Sequence, residues 1–173
     1  YWVGTWTAGI NRMDRKTRKC KRYLPEITIS GIVKDHDQTI WAGASNGLYR
    51  YNKLSDSFDP FLIGGVPLSF DELKSFIVDK SGILWLSATS GVYRVDPKID
   101  QCITYGKENG ISSLDLFYSS ACVRDDGEVL IGSGLGFYHF YPDKLKMPVA
   151  KPHIYLTAFF LKGQLVKPET GEI

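Results

Sequence analysis

A tandem repeat of about 40 to 45 residues constrains this chain more than any other feature of its sequence. Four short anchor segments combine apolar residues with a small residue and begin 39, 44 and 45 residues apart, at residues 1–4, 40–43, 84–87 and 129–132. Three of them contain a tryptophan: Trp2, Trp41 and Trp85. Six or seven residues after the tryptophan position, each unit has a glycine followed by an apolar residue. A repeat of this length indicates one small structural module used four times.

Each repeat has the pattern of short antiparallel strands. A further apolar stretch precedes the anchor in three units, and a polar turn such as residues 79–82 or 125–127 separates the two. An Asp ahead of a Gly at these turns is typical of a hairpin. Residues 56–62 and 101–105 supply a fourth strand in the two central units. The sequence therefore predicts four short strands per complete unit.

Units of four antiparallel strands in tandem are typical of a β-propeller, in which blade-like sheets pack face to face. Because side chains alternate between the faces of a strand, Trp41 and Gly43 lie on the same face, and so do Trp85 and Ser87. A large ring beside a small residue suits packing against the next blade. We therefore predict an all-β fold of propeller blades in an incomplete ring, with Trp2, Trp41 and Trp85 in the core.

The repeat residues also resemble a known family. Residues 32–51 and 76–96 are similar to the two-component regulator propeller repeat. Residues 127–142, followed by residues 152–159, resemble the last blade of such a propeller running into its triple-tyrosine (Y_Y_Y), immunoglobulin-like domain. The resemblance implies a domain boundary, with a partial propeller over residues 1–147 and a linker and the start of an Ig-like domain over residues 148–173. We expect the chain to be a fragment of a longer protein.

The resemblance further implies a function. It places the chain in the periplasm, as the extracytoplasmic sensor region of a membrane-anchored hybrid two-component histidine kinase. Such a receptor senses oligosaccharides released from glycans, acts as a homodimer and controls gene expression through its downstream kinase. Two departures from the repeat lie in the last unit, where Arg124 stands in place of Asp35 and Asp79, and Leu130 replaces the tryptophan. Gln38 also stands where the later turns have glycine.

Composition and motifs argue against several other classes. The chain has 43% hydrophobic and 23% charged residues and a net charge of +2, which gives no overall attraction to nucleic acid. The cysteines and histidines are scattered without the spacing of a metal site, and no nucleophile elbow or phosphate-binding loop is present. We therefore expect no cofactor, no metal and no enzymatic activity in this chain. A propeller lyase or glycosidase is disfavoured because no acidic or metal-binding residues converge.

One charged segment stands out locally. Six of the basic residues lie between Arg15 and Arg22. No recognition helix accompanies them, so the sequence favours the solvated end of a hairpin over a nucleic-acid contact.

Candidate ligand-binding residues follow from the blade arrangement. In a propeller, the loops between second and third strands and the loops between blades meet on one rim. The polar and aromatic residues predicted at this rim as ligand contacts are Trp6, Ser45, Asn46, Asp71, Glu72 and Ser90. Trp6 lies outside the anchor position, where an indole can stack on a sugar ring. The alternative function is a protein-interaction scaffold with no small-molecule ligand.

Overall fold

The computed structural model describes residues 1–111, 115–145, 159–161 and 164–166, the last two as backbone strands only. The described chain is all-β, apart from two 3-10 turns at Lys107–Asn109 and Pro142–Lys144. Four antiparallel sheets follow one another along the chain, and neighbouring strands within each sheet are consecutive in sequence. None of the helices in the described part of the chain is long and apolar enough to cross a membrane.

The sheets match the predicted units. Sheet 1 consists of β1 (Trp2–Gly4), β2 (Ile10–Met13) and β3 (Cys20–Tyr23). Sheet 2 consists of β4 (Ile29–Lys34), β5 (Ile40–Ala44), β6 (Gly47–Asn52) and β7 (Ser57–Pro60). Sheet 3 consists of β10 (Leu73–Val78), β11 (Leu84–Ala88), β12 (Gly91–Asp96) and β13 (Gln101–Tyr105). Sheet 4 consists of β14 (Leu116–Val123), β15 (Val129–Ser133) and β16 (Gly136–Phe140).

Two further hairpins lie outside these sheets. One is formed by β8 (Leu62–Ile63) and β9 (Val66–Pro67), between sheets 2 and 3. The other, β17 (Phe159–Leu161) with β18 (Gln164–Val166), lies in the segment predicted to begin the Ig-like domain. The predicted boundary at residues 147 and 148 and the linker after it lie outside the described residues. The Ig-like domain therefore stays a prediction.

Consecutive sheets pack face to face. Each of three buried apolar clusters joins one sheet to the next, and the tryptophan of a sheet always faces the following sheet. Trp41 packs against sheet 3 and Trp85 against sheet 4, with only 2% and 1% of their surfaces exposed. Trp2 is half-buried against Tyr51 and Phe58 of sheet 2. The predicted core position is confirmed for Trp41 and Trp85, whereas Trp2 packs against sheet 2 but is only partly buried.

The small residue beside each tryptophan admits the neighbouring sheet. A Cβ atom on Gly43 would lie 2.4 Å from Leu73 Cδ2 and 3.2 Å from Phe76 Cδ1, both in sheet 3. Such distances are far below van der Waals contact, so only glycine allows sheet 3 to approach this closely. The paired large and small residues in the sequence thus reflect the way that one sheet fits into the next.

The turns between first and second strands share a backbone geometry. The fourth of their five residues has a left-handed φ, 84° at Gly82, 92° at Gly127 and 63° at Gln38. Glycine adopts this conformation without steric cost, whereas Gln38 adopts it in the same place despite its side chain. The substitution of Gln38 in the repeat therefore leaves the turn geometry intact.

The two departures in the last repeat, Arg124 and Leu130, replace the two partners of a single hydrogen bond. In sheets 2 and 3 the indole Nε1 donates a hydrogen bond to the turn aspartate, from Trp41 to Asp35 at 2.7 Å and from Trp85 to Asp79 at 2.8 Å. In sheet 4 the donor is lost at Leu130 and the acceptor is lost at Arg124. Arg124 instead forms an ion pair with Glu128 at 2.7 Å.

Candidate functional site

The loops that carry the predicted ligand residues lie on one edge of the sheets, which we call the turn rim. In three sheets, an amide of the turn between the second and third strands donates a hydrogen bond to a carbonyl one or two residues before the first strand of the same sheet. These bonds join Ser45 N to Thr28 O at 2.9 Å, Thr89 N to Asp71 O at 3.0 Å and Gly134 N to Asp115 O at 2.8 Å. The repeated bond holds each turn against the entry of its own sheet, so the turns of successive sheets share this edge.

Trp6 is an exposed aromatic residue of the turn rim. It lies in the turn between β1 and β2, and 65% of its surface is exposed. Its ring centroid is 5.4 Å from that of Tyr118 on β14, with the two planes inclined by 50°. Sheets 1 and 4 therefore meet through an aromatic pair. A pocket of about 330 Å³ lies beside this pair and is lined by Trp2, Gly4, residues 28–32, Ser119 and the pair itself.

Glu72 is the polar centre next to the aromatic pair. Its carboxylate accepts a hydrogen bond from the Tyr118 hydroxyl, forms an ion pair with Lys74 Nζ at 2.9 Å and lies 3.3 Å from Thr89 Oγ1. The Tyr118 and Lys74 hydrogen bonds hold the pKa of the Glu72 carboxyl below its usual range. Lys74 Nζ also lies 4.2 Å from the centre of the Tyr118 ring, a cation–π distance. These contacts favour the carboxylate form of Glu72 and hold it against Tyr118.

The structure brings together only part of the predicted set. Trp6 lines the pocket, and Glu72 joins it through Tyr118. Ser45, Asn46, Asp71 and Ser90 are exposed on the same rim but do not line this pocket. The hydroxyl of Ser90 is instead 2.5 Å from that of Tyr93. Whether any of the six residues binds a ligand stays a prediction.

Sequence reasoning missed Tyr118 and Lys74. Leu116, Leu73 and Ile29 hold equivalent places, since each pairs with the last residue of the neighbouring strand. The next anchor strand begins 13 residues after Leu116 but 11 residues after Leu73 and Ile29. The two extra residues produce a bulge in β14 that carries Tyr118, with a φ of 51° at Ser119. The greater length of this segment is the sequence signal from which the bulge could have been predicted.

The site has the chemistry of a binding surface. It combines two exposed rings with a carboxylate, an ammonium group and a hydroxyl, which can bind polar ligands that also present an apolar face. Among the described residues, no three His, Cys, Asp or Glu side chains are grouped so that they could hold a metal ion.

Comparison with known proteins gives similarity at the level of structure. No family model and no curated protein matches the chain. Among solved structures, the chain is similar to the extracellular domain of BT4673 of B. thetaiotaomicron, described as a hybrid two-component system, with 21% identity and a TM-score of 0.64. The extracellular domain of BT3049 of the same organism, described likewise, has 23% identity and a TM-score of 0.61. Virginiamycin B lyase from Staphylococcus aureus has 15% identity and a TM-score of 0.52.

The coverage of these matches is unequal. They include 84%, 82% and 83% of this chain, but only 20%, 19% and 51% of the respective structures. The chain thus spans about a fifth of the length of the two sensor-domain structures. The lyase shows that a similar fold also serves an enzyme, so the fold by itself does not assign an activity. At these identities the likeness establishes the fold: the sheets of this chain are packed blades of the kind found in the extracellular domains of hybrid two-component systems.

Proposed function

We propose that this chain is a non-enzymatic part of an extracytoplasmic sensor that binds a glycan-derived oligosaccharide at the turn rim. In this proposal the parent protein is a membrane-anchored, homodimeric hybrid two-component receptor with a downstream histidine kinase. The likeness of the fold to extracellular domains of hybrid two-component systems supports the sensor role. The observation that carries the ligand class is the exposed pair of Trp6 and Tyr118 beside Glu72.

The chemistry of this site suits a saccharide. The C–H face of a sugar ring packs on an exposed indole or phenol, and its hydroxyls need charged or polar partners nearby. Tyr118 supplies a ring whose orientation is fixed by its bond to Glu72. Glu72, Lys74 and Thr89 supply an acceptor and two donors within one hydrogen-bonded cluster. A rigid aromatic platform with fixed polar groups reduces the entropy cost of binding.

The site also joins sheets that are distant in sequence. Trp6 belongs to sheet 1, Glu72 precedes sheet 3 and Tyr118 lies in sheet 4. A ligand that contacts all three prefers one arrangement of these sheets over another, which is the requirement for transmitting a signal. Residues 148–173, the proposed start of the next domain, would receive that change.

Calorimetric titration with a panel of neutral and acidic oligosaccharides tests the proposal. We expect at least one of them to bind the wild-type chain, and Trp6→Ala and Tyr118→Ala to weaken that affinity about tenfold or more, an energy of about 1.4 kcal/mol. Phe117→Ala is the matched control, because its exposed ring lies on the same strand but does not line the pocket. Equal losses in all three variants would remove the pocket as the site. No binding across the panel would favour the interaction scaffold.

A further inference from the structure

The turn between β2 and β3 carries a dense group of basic side chains, and the proposed sensor function does not use it. We call residues 14–19 the basic turn. Four of its six side chains are basic, namely Arg15, Lys16, Arg18 and Lys19, so it carries a charge of +3 when the whole chain carries +2. All four are exposed, and none forms an ion pair with any residue that the structure describes.

The one acidic residue of the basic turn does not neutralise it. Asp14 Oδ1 accepts hydrogen bonds from Lys16 N at 3.0 Å, Thr17 N at 2.7 Å and Thr17 Oγ1 at 2.9 Å. These bonds, led by the one from the Thr17 amide, lower the pKa of the Asp14 carboxyl. Asp14 therefore shapes the turn through the Lys16 and Thr17 amides and the Thr17 hydroxyl, and it forms no ion pair with the four cationic side chains.

The fold does not require this charge. The equivalent turns of sheets 2 and 3 are residues 53–56 and 97–100, and each contains one lysine and one aspartate, with no net charge. They connect the same strands in the same register. Two other basic residues of this hairpin, Arg12 and Lys21, have a structural role, since both pair with Asp56 of sheet 2. The basic turn therefore carries a surplus of exposed charge that is available to an external partner.

The shape of the surface indicates the kind of partner. A single small anion would need a walled site on which the cations converge, whereas the four side chains here are exposed around a projecting turn. The depression beside them is broad, about 620 Å³, and Arg15, Lys16 and Lys19 are among the residues that line it. Several exposed cations spread over a broad surface match the many phosphates of an anionic membrane, because each Lys or Arg near such a surface adds its own attraction.

We propose that the basic turn binds the anionic phospholipid headgroups of a membrane surface. This proposal rests on the extracytoplasmic, membrane-anchored placement given under the proposed function, but it does not depend on any oligosaccharide. In such a receptor the basic turn would hold sheet 1 against the bilayer and so fix the orientation of the blades.

Vesicle sedimentation of the whole 173-residue chain tests the proposal. We expect binding to phosphatidylcholine vesicles that contain ~30% phosphatidylglycerol, with binding that weakens as salt is added. The combined change Arg15→Gln, Lys16→Gln and Lys19→Gln should reduce the partition coefficient at least about tenfold. The matched control, Lys53→Gln, Lys98→Gln and Lys107→Gln, removes the same charge from other exposed sites and should change it less than about twofold. Circular dichroism verifies that both variants keep their β-sheet content.

Three results would overturn the proposal. These are equal partition onto vesicles of phosphatidylcholine alone, an equal loss in the two triple variants, and binding of soluble dextran sulfate by a chain that does not bind anionic vesicles. The last would identify an anionic polysaccharide as the partner. Oligosaccharide binding through Trp6 is measured in a separate experiment, so either proposal can fail without affecting the test of the other.

Discussion

The bond between a turn aspartate and a buried indole fixes the most regular part of each central sheet. Asp79 is 3% exposed, and besides the Trp85 indole its carboxylate accepts the amides of Ser81 and Ile83 at 2.8 and 3.0 Å. One carboxylate thus closes the turn and satisfies the only polar atom of the tryptophan ring. Buried polar groups need such partners. The tryptophan and the aspartate are therefore required together.

Removing this carboxylate should destabilise the chain. Asp79→Ala leaves the indole N–H and the Ile83 amide without an acceptor in a buried place, so we expect the free energy of unfolding to fall by roughly 2 to 4 kcal/mol. Urea denaturation measures the change. Arg124→Ala is the matched control, because sheet 4 has no indole at the equivalent place, and its effect should be much smaller. Equal losses would contradict the role assigned to the indole bond.

Asp56 links sheet 1 to sheet 2. It adopts a left-handed φ of 48° and accepts bonds from the Tyr51 hydroxyl at 2.5 Å, the Tyr23 hydroxyl at 2.8 Å and Lys21 Nζ at 2.6 Å. The Lys21 bond and then the two tyrosine bonds hold the pKa of the Asp56 carboxyl well below its ordinary value of 3.8. Protonation therefore favours the unfolded chain, in which these bonds are absent.

This depressed pKa makes the contact between the sheets sensitive to acid. Its contribution to stability is fully present above the ordinary value of 3.8 and is lost as the pH falls towards the lower pKa of the folded chain. Asp56→Asn, which tolerates the same φ, should lower the thermal midpoint at pH 7, and its difference from wild type should shrink below pH 3.8. Asp100→Asn is the matched control, with a φ of 50° in the equivalent turn. A difference for Asp56→Asn that persists unchanged in acid would refute this reasoning.

At the scale of elements, the packing of sheet 2 against sheet 3 depends on the close fit of Leu73 against Gly43. Gly43→Ala places a methyl group against Leu73, so we expect a loss of roughly 1 to 3 kcal/mol in the free energy of unfolding. Leu73→Val makes room for that methyl group, and the double variant should lose less than the sum of the two single losses. A double-mutant cycle in urea measures this coupling. Strictly additive losses would show that the two residues do not compete for space.

The strands of these sheets could be predicted because each repeat packs against the next one in the same way. Tryptophan, glycine and the apolar runs occur at fixed offsets, and each offset corresponds to a side chain facing the next sheet. The hydrogen bond between Asp79 and Trp85 could not be predicted in this way. Aspartate is common in turns for other reasons, so its presence there did not indicate a bond to the indole. The role of Tyr118 was even harder to predict from the sequence. Its contact with Trp6 depends on how four sheets stack and on a bulge in β14, and no local pattern encodes that arrangement.

For the whole molecule, the four tryptophans report on the stacking of the sheets. Trp41 and Trp85 are buried between consecutive sheets, Trp2 is half-buried, and Trp6 is exposed on the turn rim. Collisional quenching by iodide requires contact with the ring, so nearly all of the accessible tryptophan emission should come from Trp6. We expect Trp6→Ala to abolish most of the quenching, while Trp2→Phe leaves it largely unchanged. If Trp41 and Trp85 were quenched as strongly as Trp6, the sheets could not be stacked face to face. A ligand that covers the turn rim should in turn protect Trp6 from iodide, which makes the same measurement a readout for the proposed site.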